Sequence, residues 1–316
     1  MISPTPAADA SSRESRLERS LYAIAPTQFD RNGAVSLPAM KENMLALIEH
    51  GISDVLLAGA YGEFQTLDDD ERYGIVAAIA SGPARRIMAC AAHPSTVATA
   101  ELGTRLLDAG ANEIMISPPL LAEVSDADVI RHFEELSKRI DAPLVIYNNP
   151  IFGIDLRSDQ MQSIANLQGF VAIKQGSKDH HGIRVAMEAV GTSLRVLGAS
   201  DLSCVDALTA GAHGFTSTNS WIFPSAFTLI ARYAGTAQHR IAGEVRKALD
   251  PYMGIVRELG QPRTVKAAMQ LRGYSGTSLV RLPHVELDEE EMRRLQAAIE
   301  RSDQLLAEVN PGETDR

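Results

Sequence analysis

Eight short stretches dense in apolar residues recur along the first two thirds of the chain: LYAIAPT (21–27), DVLLAGA (54–60), RIMACAA (86–92), EIMISPP (113–119), PLVIYNN (143–149), FVAIKQG (170–176), LRVLGAS (194–200) and GFTSTNS (214–220). Each is strand-sized and bounded by polar or turn-forming residues. The segments between them repeat their apolar residues at helical spacing. LPAMKENMLALIEHG stops on Gly51, while DDDERYGIVAAIASG opens on acids, which suit the positive end of a helix dipole, and stops on Gly82. TVATAELGTRLLDAGA and DADVIRHFEELSKRIDAP follow the same plan. Strand–helix alternation demands parallel strands, because each helix carries the chain back across the sheet. Eight such units within residues 21–224 predict a (β/α)8 TIM barrel. The competing arrangement, an open doubly wound sheet, lacks the GxGxxG that would follow its first strand.

Beyond the eighth strand the helical pattern continues through SAFTLIARYAG, TAQHRIAGEVRKALDPYMGIVRELG, QPRTVKAAMQLRG and DEEEMRRLQAAIERSDQLLAEV. One helix completes the barrel, and the surplus predicts a small C-terminal helical extension. The expected organisation is a flexible arm over 1–20, a barrel core over 21–224, and the last barrel helix with the extension over 225–316. The 316 residues are 45% hydrophobic and 22% charged, ample for a soluble globular core. A net charge of −10 argues against a nucleic-acid partner. No apolar run approaches the roughly 18 residues that span a bilayer. The opening MISPTPAADASSRESRLERS has no signal-peptide hydrophobic core, so the cytoplasm is the expected location. Cys90 and Cys204 lie in apolar surroundings without metal spacing and read as buried thiols. His180 and His181 have no third ligand at metal spacing and read as a solvated helix start. No metal or cofactor is expected.

In a TIM barrel the chemistry lies where the strands end. Those ends present Thr27, the GAYGE loop (59–63), His93, Pro118-Pro119, Tyr147, Lys174, Ser200 and Ser217-Thr218. Lys174, delivered by the apolar run FVAI, has two readings. It is a strand-end lysine that snorkels to water, or an amine desolvated enough to be neutral and nucleophilic, able to condense with a ketone as an imine. Tyr147, one strand away, offers the proton shuttle that imine formation needs. Gly59 and Gly62 let the backbone N–H groups of their turn converge on an anion, and Glu63 reads as the anchor of that loop. His93 binds a substrate hydroxyl, acts as an acid, or organises its own loop. Trp221 lines the same space or packs against the C-terminal helices.

The order GxxGE after strand two, YNNP at strand five and IK at strand six resembles the dihydrodipicolinate synthase/N-acetylneuraminate lyase family, from LYAIAPTQFD through the C-terminal helices. The resemblance implies a class I, Schiff-base lyase. It makes Lys174 the imine-forming residue, Tyr147 the tyrosine of the YNxP motif, and Gly59, Ala60, Tyr61 and Gly62 the turn that receives the carboxylate of a 2-oxo acid such as pyruvate, with Thr218 in the same mouth. It also implies a homo-oligomer, dimer or tetramer.

Three departures stand against that likeness. Typical dihydrodipicolinate synthases show GTTGE, whereas this chain has Ala60 and Tyr61, leaving the Tyr61 phenol to stand in for the threonine relay. Leu120-Leu121 occupies the place of a tyrosine contributed across a dimer interface, and NPIFGID has no arginine before Arg157. Aspartate semialdehyde is therefore not the expected substrate. Tyr61, Leu120, Leu121 and Phe152 predict an apolar second pocket, like that of the hydratase-aldolases that release pyruvate from arylidene pyruvates. Other relatives without the arginine act on 2-keto-3-deoxy sugar acids. The alternatives are dihydrodipicolinate synthase activity after all, or a barrel that binds an oxo acid or sugar acid without turning it over.

Overall fold

A computed structural model describes residues 19–176 and 180–309; most of the expected arm lies outside them, as do the side chains of Phe152 and His180. Eight strands, β1 (Ser20–Ile24), β2 (Asp54–Leu57), β3 (Arg86–Cys90), β4 (Glu113–Ile116), β5 (Leu144–Asn148), β6 (Phe170–Gln175), β7 (Arg195–Gly198) and β8 (Gly214–Ser217), pair in sequence order. Every pairing is parallel, and β8 returns to β1 to close the sheet. The chain is a (β/α)8 barrel. Helices α1 (Leu37–Glu49), α2 (Asp69–Ala80), α3 (Thr96–Asp108), α4 (Asp126–Arg139), α5 (Ser158–Ala165), α6 (His180–Val190), α7 (Cys204–Thr209) and α8 (Pro224–Tyr233) follow the strands in turn. Each apolar run overshoots its strand, because its last residues leave the ladder to form the C-terminal mouth.

Local chemistry sets the helix boundaries. Asp68 accepts from the Glu71 amide and the Glu71 side chain returns to the Asp68 amide, a capping box that fixes where α2 starts. Beyond α8 come α9 (His239–Ala248), α10 (Asp250–Leu259), α11 (Arg263–Leu271) and α12 (Glu289–Glu308). The single helical stretch expected over 236–260 is two helices, because Pro251 cannot donate to the turn before it and so starts α10 anew.

The strand residues divide into two apolar layers. Leu21, Ala23, Val55, Leu57, Ile114, Ile146 and Val196 face the helices. Tyr22, Ile24, Leu56, Met88, Cys90, Met115, Val145, Tyr147, Ala172 and Leu197 fill the lumen. In β6 the alternation breaks, and the pairing with β5 shifts register between Leu144 and Val145, so that Leu144 opposes Phe170 but Val145 opposes Ala172. Val171 is the extra residue of a β-bulge. The bottom of the lumen is closed by charge. Tyr22 donates to Glu113 (2.9 Å), Arg195 also pairs with Glu113, and Arg85 (2.9 Å) and Arg86 both pair with Asp54. Burial beside Glu113 pushes the Tyr22 phenol up to about 12. No helix among the described residues is long and apolar enough to cross a membrane.

The C-terminal extension reaches into the barrel mouth. Lys266 of α11 meets Glu63 of the GAYGE loop at 2.9 Å, both side chains wholly buried, with the ammonium 4.1 Å from the centroid of the Phe29 ring. Glu63 also accepts from the Arg281 amide (2.9 Å). Removing one partner of a buried ion pair leaves the other charge uncompensated. Lys266→Ala is therefore expected to lower unfolding free energy by about 3–5 kcal/mol in denaturant titrations. The double variant Glu63→Gln, Lys266→Met should recover much of that loss. Wild-type stability for the single variant would contradict this account of the pair.

Candidate active site

Parallel pairing sets Tyr147 of β5 directly opposite Lys174 of β6, and both face the lumen at its C-terminal end. The Lys174 ammonium lies 4.1 Å from the centroid of the Tyr147 ring, a cation–π contact in a buried setting. Lys174 is 4% exposed, which excludes the snorkelling reading. Burial brings its ammonium down to about 8, with Cys90 and Asp201 acting in the opposite sense. At pH 7 about one such amine in ten is neutral, against roughly one in three thousand for an ordinary lysine. Burial raises the Tyr147 phenol, and the amide of Asn149, donating to its oxygen at 3.1 Å, opposes that rise.

The GAYGE loop follows β2 as a tight turn flanked by two non-glycine residues in the left-handed region, Ala58 (φ 48°) and Glu63 (φ 59°). Such backbone costs about 1–3 kcal/mol per residue and persists only where the surroundings enforce it. Here they do. Thr27 donates to the Gly62 carbonyl (2.6 Å), Arg72 donates to the carbonyls of Phe64 (2.6 Å) and Ala92 (3.1 Å), and Glu63 carries the buried pair with Lys266. A β-carbon at Gly62 would stand 3.0 Å from the Ala25 carbonyl oxygen, so glycine is needed for close approach to β1. The Gly62 amide is committed to the Gly59 carbonyl (2.9 Å). That leaves the amides of Ala60 and Tyr61, at the open first turn, outside this bond. Tyr61 is half-buried against the lumen cluster together with Leu120.

The other candidates divide. Thr218, just past β8, is buried at the mouth. His93 accepts from the Ser95 amide (3.1 Å) and faces a cavity of about 730 Å³ lined by Phe64, Asp69, Arg72 and Leu120, on the flank of the mouth. Phe152 closes the single turn after β5. Asp201, one residue beyond the expected strand end, escaped the sequence reading. Its Oδ2 accepts from Asn219 (2.5 Å), Ser217 also lies against the carboxyl, and its charge acts on both Lys174 and Tyr61. Burial raises its carboxyl.

The profile of the dihydrodipicolinate synthetase family matches residues 17–302. The chain belongs to that family. It is 28% identical over 276 residues to 4-hydroxy-tetrahydrodipicolinate synthase 1 of Halalkalibacterium halodurans, covering 86% of this chain and 93% of that one. The corresponding synthase of Corynebacterium aurimucosum is 27% identical over 280 residues, 87% and 92% of the two chains. Among solved structures, the 4-hydroxy-tetrahydrodipicolinate synthase of Methylacidiphilum fumariolicum superposes with a TM-score of 0.86 at 23% identity, covering 92% and 98%. A prophage protein of E. coli K12 from the dihydrodipicolinic acid synthase family, crystallised with pyruvate, gives 0.85 at 22%, covering 91% and 99%. Relatives named as enzymes over nearly the whole chain support an enzyme here.

Within this family the departures now have positions. Arg157 is half-exposed on the flank of the barrel, held by Asp126 (2.8 Å) and Asp159 (3.0 Å), and takes no part in the mouth. Leu121 is 57% exposed, which corrects its assignment to the second pocket; only Leu120 turns inward. Trp221 is 3% exposed, donates to the Ile24 carbonyl (2.8 Å) and meets Tyr274 edge-on, so it packs. Cys90 and Cys204 are free and buried. The lowered Lys174 ammonium has a direct readout. Carbamylation of Lys174 by cyanate, followed by peptide mass spectrometry, is expected to accelerate up to about pH 8 and then level off. Exposed lysines should keep accelerating towards about pH 10. Parallel profiles for Lys174 and surface lysines would show an ordinary ammonium.

Proposed function

We propose that this protein is a class I lyase that binds a 2-oxo acid of the pyruvate type as an imine on Lys174, and makes or breaks a carbon–carbon or carbon–oxygen bond next to it. The observation that carries this reading is the buried Lys174 amine, brought to about 8 and set against Tyr147 at the barrel mouth. A neutral amine attacks the carbonyl, and the resulting carbinolamine loses water to form the protonated imine. That nitrogen then draws electrons from the adjacent carbon, stabilising the carbanion left by cleavage or elimination. Tyr147 supplies and removes the protons. The Ala60 and Tyr61 amides receive the substrate carboxylate, and Tyr61 and Leu120 form the near wall of the second pocket. Pyruvate in a structural neighbour supports the choice of oxo acid.

The names of the curated relatives favour condensation with aspartate semialdehyde as a second reading. Against it, Arg157, the first arginine after YNNP, is bound to Asp126 and Asp159 outside the mouth, and so is not placed to hold that substrate's carboxylate. The proposed substrates are an arylidene pyruvate or a 2-keto-3-deoxy sugar acid.

Borohydride added with pyruvate is expected to fix the imine as a secondary amine, a mass gain of about 72 Da, pyruvate less water plus two hydrogens. Peptide mapping should locate it on Lys174, and Lys174→Ala should abolish both adduct and turnover. An adduct that survives in Lys174→Ala would overturn the mechanism. With the adduct established, a coupled assay with pyruvate and aspartate semialdehyde is expected to show no useful rate, while one of the two proposed substrate classes releases or forms a 2-oxo acid. A robust condensation rate would reverse the choice of substrate.

A further inference from the structure

Resting on the reading of Lys174 and Tyr147 above, the geometry points to Asn149 as a positioning residue. Its side-chain amide holds the Tyr147 phenol oxygen and stabilises the phenolate that forms when the phenol gives up its proton. The hydrogen bond runs from Asn149 Nδ2 to Tyr147 Oη at 3.1 Å. The orientation of the amide follows from a second contact. Asn149 Oδ1 accepts from the backbone N–H of Ile151 at 3.3 Å, which requires the oxygen on that side and leaves the nitrogen facing the phenol. Asn149 thus caps the single turn Pro150–Phe152 with one end and grips Tyr147 with the other.

Room for this arrangement comes from the neighbouring strand. Gly176, just past β6, lies under the Asn149 side chain, and a β-carbon there would stand 2.7 Å from Asn149 Cγ and 2.8 Å from Oδ1. The motifs YNNP and IKQG are therefore physically matched: the second asparagine of one fits only over the glycine of the other.

The chemical need arises at carbinolamine collapse. The carbon–oxygen bond breaks as the nitrogen lone pair of Lys174 forms the C=N bond. The Tyr147 proton goes to the departing oxygen, which leaves as water, and a phenolate remains. The phenolate recovers its proton from the substrate hydroxyl when a carbon–carbon bond is cleaved, or from water. Ala60 carries no hydroxyl to pass a proton to this oxygen. An amide N–H does not relay protons either; it lowers the energy of the anion by a charge-assisted hydrogen bond. Stabilisation by Asn149 is additional to the Tyr61 phenol, whose charge acts on Tyr147.

The test is the rate of borohydride-trappable adduct formation with pyruvate on the full chain. Asn149→Asp keeps an oxygen for the Ile151 amide but removes the donor to Tyr147. Asn149→Ala removes both, and Gly176→Ala displaces the native asparagine without changing it. All three are expected to lower the trapping rate at saturating pyruvate on the order of ten- to a hundredfold, the usual weight of a hydrogen bond to a charged group. Half-saturating pyruvate should stay within about twofold of wild type, because the carboxylate turn is untouched and the lost bond matters only once charge develops. A purely structural Asn149 predicts instead that Asn149→Asp traps at the wild-type rate, and that result overturns the inference. A loss expressed wholly as weaker pyruvate saturation also overturns it. Absence of a wild-type adduct fells the Lys174 reading and this inference with it, whereas a wild-type adduct with unimpaired variants fells this inference alone.

Discussion

One extra residue in β6 governs where the Lys174 amine goes. In a regular strand residues two apart share a face, so Phe170, Ala172 and Lys174 would all point the same way. Phe170 packs outward, edge-on to Phe133 of α4 at 5.7 Å. Without the bulge Lys174 would enter the apolar layer between strands and helices, where an unpaired ammonium is prohibitively costly. Val171 absorbs the mismatch, Ala172 turns into the lumen, and the restored alternation carries Lys174 to the mouth opposite Tyr147. The lumen then does to the amine what open water cannot, by penalising its charged form.

The mouth is held by parts of the chain far apart in sequence. The loop between β2 and α2 contains two strained residues, and its geometry persists because Arg72, Thr27 and the Glu63–Lys266 pair each fix a different point of it. A parallel strut runs from Asp201 to Asn219 and on to the Tyr252 hydroxyl of α10 (3.0 Å). The C-terminal extension is thus a structural wall of the barrel mouth, in contact with both the GAYGE turn and the Asp201 side.

That wall bears on the choice among reactions proposed for the family scaffold. Tyr61 and Leu120 give the mouth an apolar side, while the Asp201 carboxyl, whose charge acts on Lys174 and Tyr61, gives it a polar one. In the proposed reading, a substrate with an aromatic or hydroxylated second half would meet a surface of its own kind there.

By itself the sequence determined the alternation of strands and helices, and hence the closed parallel barrel, because hydrophobic periodicity is a local signal that survives without contacts. It also nominated candidates for chemistry: Lys174, Tyr147 and the GAYGE loop stand out by residue type at strand ends. Direction and company were decided only in three dimensions. FVAIK does not reveal its bulge, so the face taken by Lys174 depends on pairing with β5. Leu120 and Leu121 are equivalent on paper, and packing sent one inward and the other to solvent. Lys266 was a lone cation in an amphipathic helix until folding set it against Glu63, 203 residues away. Asp201 met Asn219, and Asn149 found its place over Gly176, only through folding, because a contact is a property of two positions and no single position encodes it.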